Sequence, residues 1–180
     1  MTAMDAFESL GLPCSLNLSE ESVREAYRVA SKNYQGDEQG FSRLNEAYCV
    51  IMSPAARLMH WLELAGMSGD RRGVVAGELL DWFGVVGSVI QETDQLLRKK
   101  EQCQSQLARA LMESSLQQGR EKIERCQEDL RFVAESKIAD FLAIESGVIN
   151  AEQAWICARD LSFLEKWQQQ LRERYGKFFS

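Results

Sequence analysis

Val23-Arg24-Glu25-Ala26-Tyr27-Arg28-Val29-Ala30-Ser31-Lys32-Asn33-Tyr34-Gln35-Gly36-Asp37 is the stretch around which the chain is organised. Val23, Tyr27, Ala30 and Tyr34 recur at helical spacing and predict one apolar stripe. Arg24, Arg28 and Lys32, each four residues apart, line up on a neighbouring face as a row of positive charge. Ser19 suits the N-cap, and Glu20 and Glu21 suit the positive end of the helix dipole. Gln35-Gly36-Asp37 closes the helix. The basic row has two readings: a solvated face with Glu20 and Arg24 paired at i,i+4, or a docking face for a partner.

The rest of the composition is also helical. Of 180 residues, 45% are hydrophobic and 27% charged, with only two prolines, as in an ordinary folded chain of one domain or two small ones. Gln, Glu, Leu, Ala, Arg and Lys dominate the second half, and the fold class expected is all-α. Twenty-one basic against 27 acidic side chains leave a net charge of −6, which argues against a nucleic-acid binder. The five cysteines (Cys14, Cys49, Cys103, Cys126, Cys157) are scattered and His60 is the single histidine, so no metal site is expected. Cys49, Cys103, Cys126 and Cys157 fall on or beside apolar helical positions and read as small, reduced core residues. The chain opens without a basic segment followed by an apolar run, and Glu78 and Asp81 interrupt the apolar 74–90 stretch. A cytoplasmic protein that does not enter a membrane is expected.

In chain order, Asp5 caps a short first helix with Phe7 and Leu10 inward, stopped by Gly11-Leu12-Pro13. Phe41, Leu44, Tyr48 and Ile51 mark a third helix, antiparallel to the second. Ser53-Pro54 starts a fourth, with Leu58, Leu62 and Trp61 inward and Gly66 at its end. Residues 1–66 form the first domain, the polar 67–77 segment is read as a linker, and 78–180 form the second domain.

Three long helices are expected in the second domain, each about 25–35 residues or roughly 40–50 Å. The first carries Leu79, Leu80, Phe83, Val86, Ile90, Leu96, Leu97, Cys103, Leu107 and Leu111, and Gly119 is expected to mark its reversal. The second carries Ile123, Cys126, Leu130, Val133, Lys137, Phe141 and Ile144, and the third Ala154, Cys157 or Ala158, Leu161, Leu164, Leu171, Tyr175 and Phe178. None buries its stripe alone, so they pack as an antiparallel three-helix bundle.

The opening stretch resembles the second helix and tip of a J-domain, the module that activates ATP-driven heat-shock chaperones. The likeness lies in Arg24, Ala26, Tyr27 and Tyr34; where J-domains carry His-Pro-Asp, this chain has Gln35-Gly36-Asp37. Phe7 to Pro13 is similar to the opening of J-domains of HscB type. Leu44-Asn45-Glu46-Ala47-Tyr48, Pro54, Arg57, Leu62, Leu64 and Gly66 match the pattern of the HscB family, co-chaperones of iron–sulfur cluster assembly. Only Glu38 to Arg43 separate the tip from Leu44, shorter than the family's loop, so a shortened third helix and a differently held tip are expected.

The resemblance implies a J-domain-like domain followed by an HscB-type three-helix bundle. It implies a heat-shock chaperone of the HscA/DnaK type as a partner at Arg24, Arg28, Lys32, Gln35, Gly36 and Asp37. It further implies an iron–sulfur scaffold protein held by Leu79, Leu80, Phe83, Phe163 and Trp167. Leu161-Ser162-Phe163-Leu164-Glu165-Lys166 is similar to the family's scaffold-holding segment, whereas Gly84-Val85-Val86-Gly87 replaces its run of charged residues. Periodicity alone leaves Ile156, Phe163 and Trp167 open as a second apolar stripe that is either extra core or an exposed patch. Gln35 cannot be protonated and Gly36 lacks the φ restraint of proline, so weak or absent ATPase stimulation is expected. No catalytic group, cofactor or metal is expected, and His60 reads as a packed residue; the chain reads as a binding protein, not an enzyme. The other reading is a J-like interaction module that has lost chaperone activation and binds an unrelated partner.

Overall fold

The computed structural model describes residues 5–34, 37–103 and 105–179, with the side chains of Tyr34 and Arg109 left aside. Among these residues the elements are α-helices and one 3-10 turn, with no strand, so the fold is all-α as expected. They group into two compact units, residues 1–74 with 137–162 and residues 75–136 with 163–180.

In the first unit, α1 (Ala6–Leu10) starts where Asp5 accepts the N–H groups of Phe7 at 2.9 Å and Glu8 at 3.4 Å, and ends at Gly11 in the left-handed conformation, φ +66°. Helix α2 (Glu20–Ser31) begins at Ser19, whose hydroxyl accepts the Ser22 N–H at 3.1 Å, and runs into a 3-10 turn, Lys32–Tyr34. Helix α3 (Glu38–Met52) starts directly after Asp37. Ala6, Phe7, Leu10, Val23, Leu44, Ala47 and Ile51 close over one another as the core between these helices. Tyr27 joins α2 to α3: its ring lies 4.5 Å from that of Tyr48 and its hydroxyl donates to Asn45 at 2.5 Å. Phe41 is 40% exposed instead of buried, and the buried residues of α3 are Gly40, Leu44, Ala47 and Ile51.

Helix α4 (Pro54–Leu64) has Ser53 as N-cap, Pro54 at N1 and Gly66 at φ +69° beyond its end. Arg57 is buried and donates to the carbonyls of Leu18 and Ile51, each at 3.3 Å, with its guanidinium 5.7 Å from the centre of the Phe141 ring. His60 is packed: Nε2 accepts the Ala6 N–H at 3.0 Å and the ring stacks on Phe7 at 5.7 Å.

The 67–77 stretch, read as a polar linker, is strapped to the last helix over its first part. Trp155 donates Nε1–H to the Met67 carbonyl at 2.9 Å, and Arg159 donates to the carbonyls of Val74 at 2.6 Å and Asp70. A Cβ on Gly69 would sit 2.1 Å from Trp155 Cδ1, so only glycine lets the strap lie flat on the indole. The short helix α7 (Phe141–Glu145) belongs to this unit too. Glu145 accepts the Leu16 N–H at 2.6 Å and the Asn17 amide at 2.8 Å.

The second unit holds α5 (Gly77–Gln102), α6 (Gln106–Ala139) up to residue 136, and α8 (Ala151–Gly176) from residue 163. Glu92 meets Lys122, Leu96 lies against Gly119, and Cys103 lies 3.1 Å from the Met112 sulfur, so α5 and α6 run antiparallel. Phe83 meets Phe163, and Asp94 meets Arg174 at 2.9 Å, so α5 and α8 run the same way. The result is the antiparallel three-helix bundle expected.

The reversal falls between the end of α5 at Gln102 and the start of α6 at Gln106, and Gly119, read as the break, lies inside α6. Leu96 and Phe178 occupy the space a Cβ would take there, so the glycine serves close packing and the surrounding contacts offset its low helix propensity. Leu107 and Leu111 therefore move from the first helix to α6, where both are exposed. The core of α5 is Leu79, Val86, Val89, Thr93 and Leu97, with Leu80 and Phe83 outside it. The second long helix stops at Ala139, and Phe141 and Ile144 are buried from α7. Cys126 and Cys157 are buried, Cys103 is half-buried, and Cys49 is exposed, contrary to expectation. Burial pushes the Cys157 thiol up to about 12.

Two glycine substitutions with opposite expected signs check these packing assignments by urea denaturation. Gly69→Ala forces the Trp155 clasp apart and lowers stability by about 1–3 kcal/mol. A Cβ on Gly84 meets nothing within 4 Å, so Gly84→Ala raises stability by about 1 kcal/mol through helix propensity alone.

Candidate functional site

Two surfaces carry the residues singled out from the sequence, one in each unit. Arg24 and Arg28 of the basic row lie on α2 and Lys32 opens the 3-10 turn beyond it, and both arginines are paired locally. Arg24 bonds Glu20 at 2.9 Å, and Arg28 forks onto Glu25 through Nε at 2.8 Å and Nη2 at 2.6 Å. The hydrogen bond from Arg28 holds the Glu25 carboxyl below its usual range, and Glu25 in turn pushes Arg28 up. All four side chains are well exposed, so these pairs add little stability. Their effect is on the field: Glu20, Glu21 and Glu25 balance Arg24, Arg28 and Lys32 along α2 and the turn that follows it.

Gln35 and Gly36 lie outside the described residues. Asp37 is exposed, and its carboxylate accepts the Gly40 N–H at 2.9 Å as the N-cap of α3. This one group thus closes the helix that follows the tip.

The second surface is an aromatic cluster at the start of α5 and the middle of α8. The Phe83 ring meets Trp167 edge-on at 4.7 Å and 88°, and meets Phe163 at 5.1 Å and 62°. Phe163 and Trp167 lie 5.9 Å apart. These are favoured edge-to-face geometries, each worth about 0.5–1.5 kcal/mol beyond area burial.

Burial sorts the five residues into two roles. Leu79 is 0% exposed and Trp167 only 7%, so both belong to the interior and support the surface from beneath. Leu80 at 59% and Phe83 at 42% stand outward, with Phe163 half-buried beside them. Gly84 and Gly87 continue the outer side of α5 with open space where a Cβ would be, leaving bare backbone beside Leu80 and Phe83. Of the stripe Ile156–Phe163–Trp167 on α8, Trp167 is buried and Ile156 and Phe163 are half-buried. Ile156 lies in the first unit and lines a small cavity with Lys137, Gln153, Cys157 and Asp160.

Sequence reasoning missed Trp155, Arg159 and the buried Lys137–Asp160 pair, which bonds at 2.9 Å. Lys137 had stood out as the one polar member of an apolar seam, which was the available signal for a buried ion partner. Among the described residues, no three His, Cys, Asp or Glu side chains converge as metal ligands, and no helix is long and apolar enough to cross a membrane.

An all-helical chain with a helical hairpin unit and a three-helix bundle unit has a counterpart among solved structures. The chaperone HscB from Vibrio cholerae shares the fold with a TM-score of 0.53, at 18% identity, over 94% of this chain and 96% of that one. No protein-family profile and no curated protein matches the sequence. The fold is HscB-like.

The division between support and surface has a direct test. Trp167→Ala opens a cavity beneath the cluster and lowers stability by about 3–5 kcal/mol in thermal or urea unfolding. Leu80→Ala removes only exposed surface and stays within about 0.5 kcal/mol of wild type.

Proposed function

We propose that this protein is an HscB-like co-chaperone or adaptor that binds an iron–sulfur scaffold protein through Leu80, Phe83 and Phe163, with Leu79 and Trp167 holding that surface in shape. The observation that carries the reading is the aromatic cluster. Its outward members are large apolar side chains standing on a rigid, packed base, which is how binding hot spots are built. The HscB-like fold supports a co-chaperone-like role, and the sequence resemblance at Leu161–Lys166 points to the same place on α8. The protein does no chemistry of its own in this reading and needs no cofactor; it works in the cytoplasm by bringing partners together.

The chaperone contact is proposed to be weak. Docking that steers by charge needs a net positive face, whereas α2 together with the Lys32 that follows it carries three acids and three bases. Asp37 already serves as a helix cap. These same features favour a second reading, an interaction module that has lost chaperone activation and binds an unrelated protein. The bare backbone at Gly84 and Gly87 favours it too, since it replaces the charged run of the family pattern.

Isothermal titration against an iron–sulfur scaffold protein separates the two. Binding to the scaffold that is weakened at least ~10-fold by Phe83→Ala or Phe163→Ala supports the first reading, the loss expected when a hot-spot aromatic is truncated. Absence of binding, or binding indifferent to both substitutions, leaves the second. In a steady-state ATPase assay with an HscA/DnaK-type chaperone, the wild-type protein is expected to give no marked acceleration. Gln35→His with Gly36→Pro is expected to restore part of it.

A further inference from the structure

Leu107, Leu111, Ser115, Gln118, Lys122 and Arg125 of α6 recur at steps of four and three. They lie in one line down the helix, about 27 Å long at 1.5 Å per residue. At its upper end Leu107 and Leu111 are 72% and 76% exposed, one turn apart on an otherwise polar face. Further down, Ser115, Gln118, Lys122 and Arg125 form one wall of a groove of about 410 Å³, and Glu92, Gln95 and Lys99 of α5 form the other. Leu96 and Gly119 make the floor. Lys99, Lys122 and Arg125 stand against one acid, Glu92, which Lys122 already bonds. The groove is therefore net positive in a chain of net charge −6.

We propose that this line is a docking track for an acidic amphipathic helix of a partner protein. Apolar side chains of that helix sit on Leu107 and Leu111, and its carboxylates face Lys99, Lys122 and Arg125. The alternation of three and four is the seam of a helix packed along a helix, which identifies the secondary structure of the occupant. The charge identifies its sign. A second copy laid along the same track would set basic against basic if parallel, and Leu107 and Leu111 against Lys122 and Arg125 if antiparallel. The track holds no acid to offer in either case, so the occupant is a different chain. The track shares no residue with the aromatic cluster, and the two surfaces are independent.

The probe is a fluorescein-labelled 18-residue helical peptide with two leucines one turn apart and glutamates along the rest of the same stripe. It is made in two versions, with the leucine pair at either end, and titrated into the full chain by anisotropy. Saturable binding of at least one version is expected. Replacing its glutamates by glutamine should weaken it at least ~10-fold, and Lys99→Glu, Arg125→Glu and Leu111→Ser should each do so by about 5–10-fold. All three positions are exposed, so the variants keep wild-type circular dichroism, and Leu80→Ala leaves the affinity unchanged. Failure of both peptides to saturate overturns the proposal, as does equal affinity for the glutamine peptide or indifference to the charge reversals. Sedimentation showing a wild-type dimer that Leu111→Ser dissolves would assign the track to a second copy and overturn it as well.

Discussion

The first unit depends on how a polar, proline-free strap is made to keep one course. The 67–74 backbone has no helix or strand of its own to absorb its carbonyls, and a backbone left loose beside a hydrophobic surface leaves polar groups unpaired. Two side chains of α8 solve this. Trp155 covers the strap with its indole and binds the Met67 carbonyl, while Arg159 gathers those of Asp70 and Val74. Charge-assisted hydrogen bonds from a planar guanidinium hold direction as well as distance. Gly69 makes the arrangement sterically possible, since any side chain there would occupy the volume of the indole. The first turns of α8 thus act as a template for a segment almost ninety residues earlier, in the same unit as α7 and its Glu145 bonds to Leu16 and Asn17.

In the bundle unit, packing and surface are separated within single helices. On α5, Leu79, Val86, Val89, Thr93 and Leu97 face the interior, while Leu80 and Phe83, one or a few residues away, look outward. The aromatic cluster sits on that border. Trp167 fills the gap beneath and Phe83 lies across its edge, so the outer ring is positioned by packing. The basic groove on the α5–α6 side arises from the same economy: Gly119 draws the two helices close, and the long cationic side chains line the crease that results.

On α2 a regularly spaced basic row is offset by acids on the same stretch. Arg24, Arg28 and Lys32 keep the spacing of a docking row, yet Glu20 and Glu25 sit at helical neighbours and take two of the three charges. Asp37 keeps its carboxylate and spends it on the Gly40 N–H. In both places a charged side chain has a partner within the chain.

The amino-acid order by itself determined the helices, their caps and most of their inward faces. Asp5, Ser19, Ser53-Pro54, Gly11 and Gly66 act through neighbours within one turn, and apolar spacing within one helix is likewise local. The three-helix bundle was legible for the same reason, since long stripes that cannot bury themselves have few ways to pack. What only the tertiary structure decided were the matters set by distant residues. Gly119 reads locally as a break, and contacts from Leu96 and Phe178 keep it helical. Residues 67–74 read as a linker until Trp155 and Arg159 hold them. Leu79, Leu80, Phe83, Phe163 and Trp167 look alike in sequence. Burial divides them into base and surface, because which side of an apolar stripe meets a neighbour depends on where the neighbour lies.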